Sequence, residues 1–190
     1  KEEHDEMRRM GLESVVNIIY SVSPRHTTEY FVQRTRDAAA LKPYRLCFKD
    51  VGGLLTPSRL RELLPKVLEA AGDIPVEFHN HCNNGLGVFN AQEAVALGIL
   101  HVHTAVPPLA DGSSQPSVFD VARNLRALGH DLPLDLDPLH EVSDYLTGIA
   151  RREKLAIGSP RAYDETLYAH QIPGGMISNL EYQLEKVGMG

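Results

Sequence analysis

Hydrophobic and polar positions along the chain follow one repeated order, in which a short β-branched run precedes a longer segment with helical periodicity. The first run, VVNIIYSV at 15–22, has the length and composition of a buried strand. Runs of the same kind follow at 44–51, 75–81 and 101–106, and a last one opens the segment AHQIPGGMISNLEYQLEKVG at 169–188. The pattern therefore predicts five strands.

Helix start and stop signals separate these runs. Thr27 or Thr28 can cap the first predicted helix. Thr56 can cap the second, which has Pro57 at its first position and Gly72 as its stop signal. Further helices are predicted over 90–97, over 118–128, over 139–154 and after the last strand.

A strand followed each time by a helix implies a parallel sheet with helical crossovers. Two architectures of this kind compete, the doubly wound open sheet and the (β/α)8 barrel. In VEFHNH, at 76–81, the apolar Val76 and Phe78 face one way and the polar residues between them face the other. An apolar face for helices and a polar face for a lumen suit a barrel. We therefore predict an α/β fold of the TIM-barrel type.

Five strands are too few for a barrel of eight. We interpret residues 1–190 as the C-terminal part of a single domain that contains strands 4 to 8 of the barrel. The N-terminal strands would precede Lys1 or come from another sequence.

Composition restricts the class of protein further. The 190 residues include 43% hydrophobic and 23% charged positions, which is typical of a globular domain with a substantial core. Formal net charge is −6 and no long basic block occurs, so we expect no nucleic-acid partner. No apolar run reaches the ~18 residues of a membrane helix and no leader pattern opens the chain, so we expect a cytoplasmic protein without membrane insertion. Cys47 and Cys82 form no Cys-x-x-Cys pair, and no disulfide framework is expected.

The most specific chemical pattern is His-x-His at the end of the third predicted strand. His79 and His81 project from one face about 6 to 7 Å apart, so two imidazoles can converge on one cation with bonds of about 2.1 Å. Lys49 ends the preceding strand on the same inward face, which brings its amine to the same rim. The alternatives are a hydrogen-bonded pair of lumen histidines, and an ion pair of Lys49 with Asp50 or Glu77.

Four motifs occur in order along the chain: CFKDVGGLLTP, VEFHNHCNNGLG, TAVPPLADGSSQPS and HQIPGGMISNLEYQL. Together they resemble the carboxyltransferase domain of biotin-dependent enzymes, namely pyruvate carboxylase, the oxaloacetate decarboxylase α subunit and the pyruvate-binding subunit of transcarboxylase. SPRHTTEY near the start also looks like the segment after the fourth strand of that family. The resemblance covers nearly the whole chain and implies a TIM barrel.

The resemblance also implies a divalent metal, Zn, Mn or Co, held by an Asp on the first strand, a carbamylated Lys on the fifth and two His on the sixth. Lys49, His79 and His81 stand at three of these positions, with CO2 bound as a carbamate on Lys49. The Asp would lie upstream of Lys1. A carbamate is an anionic oxygen donor, which suits a divalent cation otherwise ligated by neutral imidazoles.

The reaction implied by the resemblance moves a carboxyl group between carboxybiotin and pyruvate, as pyruvate carboxylation or oxaloacetate decarboxylation. Ser178 stands where the family has a Thr that relays a proton, so Ser178 and the carbamate of Lys49 are the expected catalytic groups. Gly174, Gly175 and Met176 are expected to support substrate or biotin binding. The expected partners are a biotin carboxyl carrier domain or protein, a small 2-oxo acid and further copies of the chain in a homo-oligomer.

Two stretches raise separate questions. Relatives commonly have an Asp where His103 stands, and His101 lies on the same face. These histidines either bond to neighbouring carboxylates, which we favour, or change the charge of the site and with it the substrate. Ser113, Ser114 and Gln115 are expected to cap and orient the next helix.

Two other functions stay open. Biotin-independent lyases and synthases, of the 3-hydroxy-3-methylglutaryl-CoA lyase and isopropylmalate synthase types, also use a His-x-His strand. They usually lack a Lys at position 49 and the PGGMISN segment, so the sequence favours the carboxyltransferase. The other function is that of a non-catalytic barrel fragment in an assembly, because an incomplete barrel exposes sheet edges that need a partner.

Overall fold

The structure is a computed structural model that describes residues 2–170, 172 and 174–189, while the side chains at 170, 174, 175 and 178 lie outside the described part. Its elements in chain order are α1 (Glu2–Arg9), β1 (Val15–Ile19), α2 (Thr28–Ala39), β2 (Arg45–Asp50), α3 (Pro57–Ala71), β3 (Val76–Asn80), α4 (Gly87–Ala96), β4 (His101–Val102), α5 (Val118–Ala127), α6 (Asp137–Arg152), α7 (Leu167–His170) and α8 (Gly174–Lys186). None of these helices is long and apolar enough to cross a membrane.

The strands of the described residues form one parallel sheet in the order β1-β2-β3-β4. A doubly wound sheet reverses its strand order at a switch point, whereas each strand here lies beside the strand that precedes it in the chain. The intervening helices follow the same order, because α2 contacts α3, α3 contacts α4 and α4 contacts α5. This sequential order is that of a barrel wall, and it confirms the predicted α/β barrel class.

Side-chain caps begin the first two crossover helices as the sequence predicts. The hydroxyl of Thr27 accepts a hydrogen bond from the backbone N–H of Tyr30 at the start of α2. Thr56 caps α3 in the same way, and Pro57 follows as the first helical residue. Helix α3 stops at Gly72, whose φ of 62° lies in the left-handed region that glycine adopts without strain.

The core lies between the sheet and the helices that cover its outer side. Phe48 on β2 and Phe78 on β3 are fully buried and stack with ring centroids 6.4 Å apart. Phe31 of α2 meets Phe48 edge-on at 6.2 Å. Helix α3 contributes a fully buried row made of Leu60, Leu63, Leu64 and Val67. Strand alternation then turns the odd-numbered side chains of β2 and β3, among them Lys49 and His79, toward the opposite face.

The predicted fifth strand is wrong for the described residues of its segment. Leu167–His170 forms the short helix α7, in which the N–H groups of Tyr168 and Ala169 make local hydrogen bonds. Gln171 and Pro173 lie outside the described residues. The segment YAHQIP lacks the β-branched run that marks the other strands, and backbone groups outside a strand ladder must find partners nearby.

Strand β4 is shorter than the predicted run over 101–106. Only His101–Val102 pairs as a strand, although the N–H of His103 still donates to the carbonyl O of Phe78 at 2.9 Å. Beyond His103 the backbone turns to another partner, because the N–H of Ala105 donates to the carbonyl O of Pro116 at 3.0 Å. Regular pairing therefore ends early.

We expect Phe48→Ala to lower the free energy of unfolding by about 3 to 5 kcal/mol, because it empties a fully buried aromatic site between sheet and helices. Denaturant unfolding measures this loss. Phe89→Ala is the matched control, since Phe89 is 45% exposed and should change stability by no more than about 0.5 kcal/mol. Equal losses in the two variants would contradict the assigned core.

Candidate metal centre

Lys49, His79 and His81 lie at the carboxyl ends of adjacent strands. Lys49 on β2 and His79 on β3 are register partners in the parallel sheet. His81 is the first residue after β3, and its N–H donates to the carbonyl O of Asp50 at 3.0 Å. The rings of His79 and His81 have centroids 5.1 Å apart. The structure thus brings the three predicted ligands to one rim.

Both imidazoles point their Nε2 atoms at the side-chain amide of Gln115. Gln115 Nε2 lies 3.2 Å from His79 Nε2 and 3.1 Å from His81 Nε2. The expectation that Gln115 serves the next helix is wrong, because Ser117 caps α5. The motif GSSQPS, which contains Gln115, is visible in the sequence, but it does not predict a contact with the histidines. The two Nε2 atoms therefore converge on one point, which we call the metal focus. The Gln115 amide occupies it here, and a cation could take its place.

Hydrogen bonding determines which nitrogen of each ring is free. His81 Nδ1 lies 2.7 Å from the carbonyl O of Ser113. A carbonyl only accepts, so Nδ1 carries the proton and Nε2 keeps a lone pair. The Gln115 group that faces this lone pair must be the NH2, and its other N–H then faces a lone pair on His79 Nε2. Two unprotonated nitrogens converge, which is the arrangement that a metal ion requires.

Burial keeps both rings neutral. Burial lowers the pKa of His79 to about 4, and the neighbouring His81, Lys49 and His103 repel an added positive charge in the same direction. Burial also lowers the pKa of His81, and Lys49 adds to that effect. At neutral pH neither ring holds a second proton that a metal would have to displace.

Lys49 is a partly buried residue, and no hydrogen bond or ion pair within the described part of the chain involves its Nζ. The ion pair considered with Asp50 does not form, since that carboxylate accepts from the N–H groups of Leu54 and Leu55 at 2.9 and 2.8 Å. Burial raises the pKa of Asp50 to about 6. Glu77 is bound elsewhere, to Arg45. Lys49 therefore ends β2 beside His79 without a carboxylate partner.

Residues 7–146 match the family model described as HMGL-like. The chain belongs to the HMGL-like family. Over 183 residues this HMGL-like chain is 32% identical to a pyruvate carboxylase subunit of Methanocaldococcus jannaschii, in a match that covers 95% of the chain and 32% of that relative. It is 31% identical to the 2-oxoglutarate carboxylase large subunit of Hydrogenobacter thermophilus, over 94% of the chain and 28% of that relative. The HMGL-like chain therefore spans about a third of the length of these curated relatives.

Solved structures give the same fold. The carboxyl transferase domain of Rhizobium etli pyruvate carboxylase superposes with a TM-score of 0.86 at 23% identity, and the match covers 98% of the HMGL-like chain and 32% of that domain. The domain determined with pyruvate and biocytin superposes equally well, with a TM-score of 0.86. The four described strands therefore belong to the wall of a barrel of the carboxyltransferase type.

Two loops of the HMGL-like chain interlock at the rim beside His81. Gly53 has a φ of 62°, and a Cβ on it would meet the N of Asn83 and the O of His81 at 3.0 Å. Asn83 Nδ2 donates to the carbonyl O of Gly52 at 3.0 Å. The loop after Lys49 is thus held against the loop after His81, which fixes the spacing of the two strand ends.

Cys82 does not join the candidate ligands. Its side chain is buried against Gly87, where an added Cβ would lie 2.2 Å from Sγ. Burial raises the pKa of Cys82 to about 12, so the thiol stays protonated. This placement agrees with the strand alternation, which directs Cys82 away from His81.

A second polar cluster lies deeper in the lumen. One ligand-type atom each from Cys47, Glu77 and His103 lies within 4.8 Å of the other two. The expectation that the lumen histidines bond to carboxylates is confirmed for His103, whose Nε2 lies 3.1 Å from Glu77 Oε2. His101 is exposed and lines a neighbouring cavity of about 660 Å³. Burial raises the pKa of Cys47 to about 11, so this cluster holds a thiol and not a thiolate at neutral pH.

The remaining predicted site residues lie on α8. Gly174, Gly175 and Ser178 belong to its backbone, and their side-chain positions lie outside the described part. Met176 on the same helix is 63% exposed. The roles assigned to these residues stay predictions.

We expect Gln115→Leu to lower the free energy of unfolding of chelator-treated protein by about 1 to 3 kcal/mol, because two imidazole acceptors lose their common donor. Gln33→Leu is the matched control, since Gln33 is exposed on α2, where its Nε2 donates to Asp37 Oδ1 at 2.7 Å. Its effect should stay within about 0.5 kcal/mol. Denaturant unfolding compares the two, and a Gln115 variant as stable as wild type would contradict the assigned contacts.

Proposed function

We propose that this chain supplies the metal-holding wall of a biotin-dependent carboxyltransferase, which moves a carboxyl group between carboxybiotin and a 2-oxo acid, with pyruvate as the acceptor. The observation that carries this proposal is the shared focus of two unprotonated imidazole nitrogens beside a lysine without a carboxylate partner. Relatives that are named carboxylases support it. Their names favour it over the biotin-independent lyase and the non-catalytic fragment.

The donor set fits a divalent cation such as Zn, Mn or Co. His79 and His81 would bind through Nε2, and Lys49 through an oxygen of a carbamate. The ammonium group first gives up one proton, and the neutral amine then bonds to the carbon of CO2 and releases a second proton. A cationic side chain thereby becomes an anionic carbamate. When bound, the cation supplies positive charge beside the oxygen that becomes negative in an enolate. Gln115, whose amide now occupies the focus, would turn aside.

In the proposed reaction the bond between carboxyl carbon and ureido nitrogen in carboxybiotin breaks and releases CO2. The nitrogen left behind takes a proton that the hydroxyl of Ser178 passes on from the methyl carbon of pyruvate. The enolate carbon then bonds to CO2, which gives oxaloacetate, and the reverse order decarboxylates oxaloacetate. We assign Gly174, Gly175 and Met176 to the place where biotin or the acid binds.

The proposal includes several partners. Biotin is carried on a separate domain or subunit that swings into the barrel mouth. Residues 1–190 belong to a single carboxyltransferase barrel domain and form its C-terminal part, and the protein assembles as a homo-oligomer. One relative is a 2-oxoglutarate carboxylase, so 2-oxoglutarate should be assayed beside pyruvate.

We expect His79→Ala and Lys49→Ala each to abolish metal retention and leave the fold intact, because both side chains face the rim and not the core. Elemental analysis of proteins purified without chelator measures this. His130→Ala, at an exposed histidine, should retain the wild-type metal content. Equal metal in wild type and His79→Ala would contradict the site. A wild type without metal would favour the non-catalytic fragment.

Ser178→Ala should retain the metal and lower carboxyl transfer by about 10²- to 10⁴-fold, because it removes the hydroxyl that relays the proton. Oxaloacetate decarboxylation with free biotin is the assay. Ser178→Thr keeps the hydroxyl and should keep most of the activity. Unchanged transfer in Ser178→Ala would exclude the relay, and cleavage that does not depend on biotin would favour the lyase type.

A further inference from the structure

A series of hydrogen bonds reaches His79 from the side opposite the metal focus. Arg45 Nη1 lies 2.9 Å from Glu77 Oε1, and Glu77 Oε2 lies 3.1 Å from His103 Nε2. His103 Nδ1 in turn lies 3.0 Å from His79 Nδ1. The geometry points to Glu77 and His103 as positioning residues that hold His79 in the tautomer whose Nε2 is free for a metal. This inference rests on the metal site of the proposed function and adds two residues to it.

Proton positions along the series follow from its carboxylate end. The carboxylate of Glu77 only accepts, so His103 Nε2 carries a proton. With one proton on the ring, His103 presents a lone pair at Nδ1, and His79 must donate to it from its own Nδ1. His79 Nε2 is then left unprotonated and directed at the focus.

The contacts of His81 lead independently to the same tautomer of His79. The carbonyl of Ser113 requires a lone pair on His81 Nε2, which requires the NH2 of Gln115 at the focus. That NH2 also faces His79 Nε2, which therefore carries no proton. If the ring of His103 carried a second proton, at Nδ1, the proton of His79 would have to lie on Nε2. His79 Nε2–H and the NH2 of Gln115 would then be two donors that face each other. One arrangement of protons satisfies every contact from Ser113 to Glu77.

Because Arg45 contacts residue 77, replacing the Glu77 carboxylate by an amide would reverse the order of donors and acceptors along the series. The guanidinium of Arg45 only donates, so in a Glu77→Gln variant the amide oxygen would face Arg45 and the NH2 would face His103. His103 would then accept at Nε2 and donate from Nδ1, and His79 would carry its proton on Nε2. The Arg45 and Glu77 side chains are only 22% and 12% exposed, which limits replacement of either contact by water. The nearly isosteric change Glu77→Gln would thus act through His103 and leave His79 Nε2 without the lone pair that binds a metal.

The direct test is long-range proton–nitrogen NMR of the metal-free native protein labelled with nitrogen-15 at histidine, which distinguishes protonated from unprotonated ring nitrogens. Wild-type His79 should be protonated at Nδ1, and Glu77→Gln should move that proton to Nε2. A wild-type ring protonated at Nε2 would overturn the inference. The spectrum needs neither metal nor substrate, so this failure is distinct from a failure of the proposed function.

Zinc titration calorimetry gives the second readout. Glu77→Gln should bind Zn²⁺ about 10- to 100-fold more weakly than wild type. Adding Arg45→Met should restore most of the affinity, because the amide can then turn its oxygen toward His103. Glu93→Gln is the matched control, since it makes the same change in the Arg61–Glu93 pair on the helices, whose contact is 2.6 Å. Wild-type affinity and tautomer in Glu77→Gln, or no recovery in the double variant, would overturn the inference.

Discussion

The parallel pairing of β2 with β3 is the constraint on which the rest of the structure depends. It sets Lys49 beside His79 and Phe48 beside Phe78, so one register determines both the site and the core. Because side chains alternate along a strand, a slip of one residue would carry the aromatic side chains to the lumen and the ligands to the helices. Burial of the aromatic face therefore holds the polar face in place.

The two imidazoles of the candidate site have hydrogen-bond partners without a metal. The amide of Gln115 donates to both imidazoles, and the backbone of Ser113 fixes one of them. The rings are therefore already turned toward a common point, and binding a cation requires movement of one flexible side chain. Such preorganisation reduces the ordering that a metal must impose on its ligands.

Much of this arrangement could be predicted from the sequence. β-branched runs and Thr caps predicted the first strands and helices, and the His-x-His spacing with the strand-end Lys49 predicted three side chains that the structure brings to one rim. Gln115 could not be found this way, because its contact depends on the path of a long loop and not on any local period. The sequence predicts a carboxylate partner for His103, but only the pairing of the strands identifies that partner as Glu77. The fifth strand was wrong because its segment carries weak local signals.

The central claim is that Nε2 of His79 and Nε2 of His81 bind one divalent cation. X-ray diffraction from crystals grown with cobalt, recorded at the cobalt absorption edge, tests it most directly. The account predicts one anomalous peak about 2.1 Å from both nitrogens, with an oxygen carried by Lys49 as a further ligand. A peak among Cys47, Glu77 and His103, or no peak beside the two imidazoles, would contradict it.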